Sequence, residues 1–89
     1  MMTRDEGIAK MTAQCRAYPL VLLASALADL DAKPHLSEAE RLARSVMIDV
    51  VCERCPAADA AFTAWADSDD MDQRNAVPAI VAAAREAGR

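Results

Sequence analysis

The sequence has no apolar run long enough to cross a bilayer. A membrane-spanning helix needs about 18 or more consecutive apolar residues, and the longest stretch here, 20–30, is already broken by Ser25 and Asp29. The opening MMTRDEG is too acidic and polar for a secretory leader. Cationic excess is missing as well. A formal net charge of -4 argues against a stand-alone nucleic-acid binder, whose affinity would rest on Lys and Arg neutralising phosphates. The three cysteines are an odd number, which does not make a paired disulfide framework and fits a reducing compartment. No nucleophile, base and oxyanion group converge in the sequence, so no enzymatic activity and no cofactor are expected. These absences predict a cytoplasmic chain whose partners are proteins rather than nucleic acids or membranes.

Large apolar side chains are also scarce. The apolar share is 54%, yet 21 of those 48 residues are alanine, and the aromatics are a single Trp, Tyr and Phe. Alanine allows helices to pack closely but buries little area, and burial stabilises by only about 25 cal/mol per Å². With 89 residues the chain has the length of one domain, 1–89, with a thin core. Sharing a face with a second copy is one way such a chain gains stability, so a homodimer is expected.

What is present reads as helix throughout. Ser37 followed three residues later by Glu40 is a capping box, and Pro56 stops the same helix. Between them Ala39, Leu42, Ala43, Val46, Met47, Val50 and Val51 recur at steps of three and four, which predicts a helix over 37–55 as the organising element. Thr3 with Glu6 is a second box and starts a helix over 4–16, weakened by Gly7. Pro19 is placed to open a helix over 19–30, with Leu20, Leu23, Leu27 and Leu30 on one stripe. A helix over 56–66 carries Phe62 and Trp65, which are expected to close the bundle against 19–30. The acidic run 67–72 reads as a loop. Asn75 reads as the N-cap of a last helix, 75–87, whose stripe is Val77, Ile80, Val81 and Ala84, with Gly88 as a left-handed C-cap. The fold class is all-α, a small bundle of four to five helices without strands or internal repeats.

Arginine outnumbers lysine eight to two, asparagine occurs once, and alanine dominates. In size and residue usage the chain resembles small proteins of actinobacteria and their phages, a resemblance of composition alone.

Several groups of residues invite a chemical reading. Cys52 and Cys55 have the spacing of a redox pair, but they fall at a helix C-terminus, where the dipole raises a thiol's pKa. Cys15, His35, Cys52 and Cys55 number the four ligands a structural zinc site needs, although only one pair has ligand spacing. His35 alone, beside Pro34 in a loop, reads as an exposed or capping residue. Asp67, Asp69, Asp70 and Asp72 fail the calcium-loop pattern: Met71 and Asp72 occupy its fifth and sixth positions, and Pro78 stands where its bidentate glutamate belongs. Such acids before a helix are favoured by its positive end. The helices 19–30 and 37–55 can be drawn as a helix-turn-helix with Arg41 and Arg44 facing DNA, against a turn that is long and contains proline. The preferred expectation is a protein–protein interaction module. Its docking face would be Val77, Ile80, Val81 and Ala84, or the loosely held first helix, with acidic residues at the rim.

Overall fold

The structure is a computed structural model that describes residues 3–88. Five α-helices follow one another: α1 (Arg4–Ala17), α2 (Leu20–Asp31), α3 (Glu38–Arg54), α4 (Pro56–Asp67) and α5 (Val77–Ala87), the last preceded by a 3-10 turn at Gln73–Ala76. No strand occurs among the described residues, so the chain is an all-α bundle. Its radius of gyration is 12.7 Å, near the value of about 12 Å for a compact chain of this length.

The helix ends follow from local chemistry. Ser37 Oγ accepts from the Glu40 backbone N–H at 3.1 Å, and a Glu40 carboxylate oxygen accepts from the Ser37 N–H at 3.0 Å, so the capping box of α3 is complete. At α1, Thr3 Oγ1 accepts from the Glu6 N–H at 3.1 Å. Pro19 sits one residue outside the expected position. Its ψ of 144° is extended, which makes it the N-cap of α2, with its carbonyl accepting from the Leu22 and Leu23 amides. Cys55 likewise lies outside α3 and serves two helices at once. Its N–H closes α3 on the Val51 carbonyl, while its own carbonyl accepts from Asp59 N in the first turn of α4. Pro56 then occupies the first turn of α4, where its missing N–H leaves no bond unmade.

Two terminal assignments are corrected. Asn75 does not cap α5; it lies within the 3-10 turn, whose N-cap is Asp72, the Oδ1 of which accepts from Arg74 N at 3.0 Å. Gly88 is not left-handed. With φ -85° and ψ 0° it continues the right-handed turn, its N–H bonding to the Ala84 carbonyl.

α3 packs against all four other helices, and its burial grows along its length: Glu38 to Ser45 are exposed or half-buried, whereas Val46, Ile48, Val50 and Val51 are buried. α5 lies chiefly against α2 and α4. The Phe62 and Trp65 rings, 5.5 Å apart between centroids, are partly buried on α4, which packs on α5, α3 and the 3-10 turn. They therefore do not close the bundle against α2 as expected, because α5 fills that place. α1 packs on α3 and contributes only Cys15 to the fully buried set.

The fully buried side chains of largest volume are Leu27, Ile48, Ile80, Val50, Val51, Val77 and Cys55, among buried alanines at 24, 58, 76 and 84. No aromatic residue is among them. Leu27→Ala should therefore remove roughly 2–5 kcal/mol from a domain whose total stability is on the order of 5–15 kcal/mol. Chemical denaturation should show it as the most damaging change of a leucine in α2. Gly88→Ala should behave oppositely. A Cβ at this position would meet the Ala84 carbonyl oxygen at 3.4 Å and Val21 Cβ at 3.6 Å, both ordinary contacts. Thermal unfolding of Gly88→Ala should be unchanged or slightly raised; a clear loss would show a left-handed requirement after all.

Candidate functional site

The stripe expected to dock a partner is inside the protein. Val77, Ile80, Val81 and Ala84 are 1%, 0%, 6% and 0% exposed. α5 lies against both α2 and α4, so these side chains belong to the chain's own core, with Val77 and Val81 also at the edge of a shallow concavity between α2 and α5. Amphipathic periodicity marks a face that will be covered, and here the cover comes from the same chain.

The four zinc candidates do not assemble. His35 precedes the first turn of α3 and Cys52 lies in its last, and 17 residues of helix at 1.5 Å per residue hold them on the order of 25 Å apart. Among the described residues no group of three or more His, Cys, Asp or Glu side chains is placed to hold a metal ion. The cysteines are free thiols with different surroundings. Cys55 is buried, and its Sγ lies 3.8 Å from the Ala83 carbonyl, to which it donates. Burial raises the Cys15 thiol pKa. Cys52 is pushed up to about 11, first by burial and then by the charges of Asp59 and Asp49. A redox or nucleophilic cysteine needs the reverse.

The acidic loop spends its carboxylates on its own backbone. Asp70 accepts from Asp72 N at 2.9 Å and from the Asn75 side-chain amide at 2.7 Å, which holds its carboxyl below the ordinary carboxylate range. Asp72 caps the 3-10 turn. These are local turns that replace backbone partners.

Two surfaces stand out by the chemistry of their linings, and neither was singled out by periodicity. The first is the corner between α1 and α2. Tyr18 and Pro19 break the helix there, and Arg54 Nη1 fixes the corner by donating to the Tyr18 carbonyl at 2.6 Å. Tyr18, Val21 and Leu22 are 52%, 45% and 54% exposed. Beside them lies a cavity of about 210 Å³ with apolar walls from Cys15, Tyr18, Leu22, Leu23, Ala26 and Met47. The exposed ion pair Arg16–Glu53, at 2.9 Å, joins α1 to α3. The sequence signal was that α2 is apolar on nearly every face, more than its neighbours can cover.

The second surface is a concavity of about 240 Å³ where the α2–α3 connection meets the 3-10 turn, lined among others by His35, Arg41, Arg44, Asp72 and Arg74. Arg41 and Arg44 thus share this concavity with Arg74, from more than twenty-five positions later. Arg74 Nη2 donates to the Lys33 carbonyl at 3.0 Å, which ties the turn to the end of α2. Arg44 Nε is buried without an acceptor. The nearest acid of α3, Glu40, is engaged elsewhere: Lys33 and the Ser37 N–H bring its pKa down to about 2.

Compared with models of protein families, with curated proteins and with solved structures, the chain matches none. No helix of the described residues is long and apolar enough to cross a membrane.

The surroundings of Cys52 give a pH dependence. Alkylation depends on the thiolate, so labelling of the Cys52 peptide, followed by mass spectrometry, should keep rising to about pH 11 rather than level off near the ordinary 9.0. A raised folded pKa also means that the contribution of this thiol to stability is full below about pH 9 and lost as pH rises through about 11. Levelling near pH 9 or below would show a thiol exposed or activated in solution.

Proposed function

We propose that the chain is a non-enzymatic protein–protein interaction module that pairs with a second copy of itself through the corner between α1 and α2. The observation that carries this reading is the exposure of Tyr18, Val21 and Leu22 beside an apolar cavity. In a chain so short of large apolar residues, leaving three of them in water is costly unless another surface covers them. A projecting side chain and a hole on the same patch are what a two-fold contact needs, since each copy then presents both halves. Leu22 of one copy would enter the cavity of the other while Leu22 of the second does the same in return. The exposed pair Arg16–Glu53 on α1 and α3 supplies both signs of charge for contacts between copies. The thin core favours the same conclusion, because pairing adds apolar burial that the single chain lacks. Three free thiols fit work in a reducing compartment such as the cytoplasm.

Sedimentation velocity over a concentration series tests the reading. The wild type should sediment as a dimer that dissociates on dilution. Leu22→Asp should be monomeric throughout, with an unchanged helical circular dichroism spectrum, because an exposed side chain contributes little to the fold of the single chain. A wild type that stays monomeric over the whole series overturns self-pairing, and so does a Leu22→Asp variant that still dimerises.

A further inference from the structure

The arginines of the second concavity belong to no ion pair and to no interface described above. Arg41 and Arg44 come from the first turns of α3 and Arg74 from the 3-10 turn, and His35 adds an imidazole beside them. Like charges in one concavity repel, and its walls focus their field. Two acids close by already accept hydrogen bonds from other groups. Asp72 accepts from the Arg74 backbone N–H, and Glu40 accepts from Lys33 and from Ser37 N. Among the described residues, the ion pairs Arg16 with Glu53 and Lys33 with Glu40 do not involve these three guanidinium groups. Independently of the charge count, Arg44 Nε is shut away from solvent with no acceptor.

We infer that this concavity binds a phosphate group carried by a small molecule. Guanidinium groups present paired N–H donors whose fork matches the oxygens of a phosphate, and three of them can share its double charge. Arg74 is already held by the Lys33 carbonyl at 3.0 Å, so part of the site is ordered before any ligand arrives. The surroundings favour a small anion over a nucleic-acid strand. Asp72 lines the concavity and Glu38 lies beside Arg41 in the adjoining groove, so the neighbouring phosphates of a polymer would meet carboxylates. The site lies on other residues than the α1–α2 corner and stands whether or not the chain pairs with itself.

The test is a titration of the isotope-labelled protein with sodium pyrophosphate and, separately, inorganic phosphate, followed by nuclear magnetic resonance with sodium chloride of matched ionic strength as control. Saturable shifts are expected at the Arg44 and Arg74 side-chain Nε–H signals and at the backbone amides of Leu36 and Asp72. Arg44→Gln and Arg74→Gln should each weaken pyrophosphate at least about tenfold, Arg41→Gln several-fold, and Arg85→Gln on α5 should change nothing. If Arg44→Gln fails to fold, the exposed Arg41 and the Arg74 variant decide the matter. Shifts that do not saturate, that chloride reproduces, or that survive Arg41→Gln and Arg74→Gln overturn the proposal. Tighter binding of a short DNA duplex through the same residues would also overturn it, and would assign the arginines to a nucleic-acid backbone.

Discussion

Close packing of α5 between α2 and α4 is the constraint on which the rest of this structure depends. Alanines at 24, 58, 76 and 84 are buried almost completely, and side chains that small let helix backbones approach until Ile80, Val77 and Leu27 fill the remaining space. A core made this way has little volume to lose. It also has a topological consequence. Once α5 occupies the inner side of α2 and α3 takes another, Leu22 stays 54% exposed and Val21, beside the end of α5, 45%. The aromatic pair on α4 is displaced from α2 for the same reason and packs at the side of α5 instead.

The junctions show how the chain economises on residues. Cys55 ends α3 and begins α4 in a single extended position, with its thiol turned inward to the Ala83 carbonyl. Its spacing from Cys52 therefore follows from helix packing rather than from redox chemistry. The acids of the 67–72 loop act in the same way: Asp70 and Asp72 supply acceptors where the backbone turns, and the 3-10 turn they hold delivers Arg74 to the arginines of α3. Among the described residues, a structural use of carboxylates on one side of that turn thus leaves Arg41, Arg44 and Arg74 outside any ion pair on the other.

Two surfaces of opposite character result. The corner between α1 and α2 is apolar, and the concavity at the start of α3 is cationic within an acidic protein. They lie toward opposite ends of α3, since Arg54 touches the corner and Arg41 lines the concavity. The two proposed contacts, pairing at the corner and an anion in the concavity, therefore use separate residues.

Much of the architecture was legible in the sequence, because it rests on interactions between residues near in the chain. The capping box at Ser37 and Glu40, the break at Pro56 and the three- and four-residue spacing in α2, α3 and α5 are satisfied within a few turns of helix, so five helices could be placed from their own residues. Even local reading failed where two signals competed: Asn75 looked like a cap, but Asp72 reaches the backbone three residues earlier, and Gly88 never needed the freedom that glycine offers. Which face of each helix meets which neighbour was decided only by the tertiary structure. The stripe Val77, Ile80, Val81 and Ala84 looks the same in sequence whether its cover is another helix of this chain or a second protein, because periodicity reports that a face is apolar and not what lies against it. Likewise Arg41 and Arg44 meet Arg74 only because the chain returns after some thirty residues, and long-range electrostatics of that kind exists only once the helices have packed.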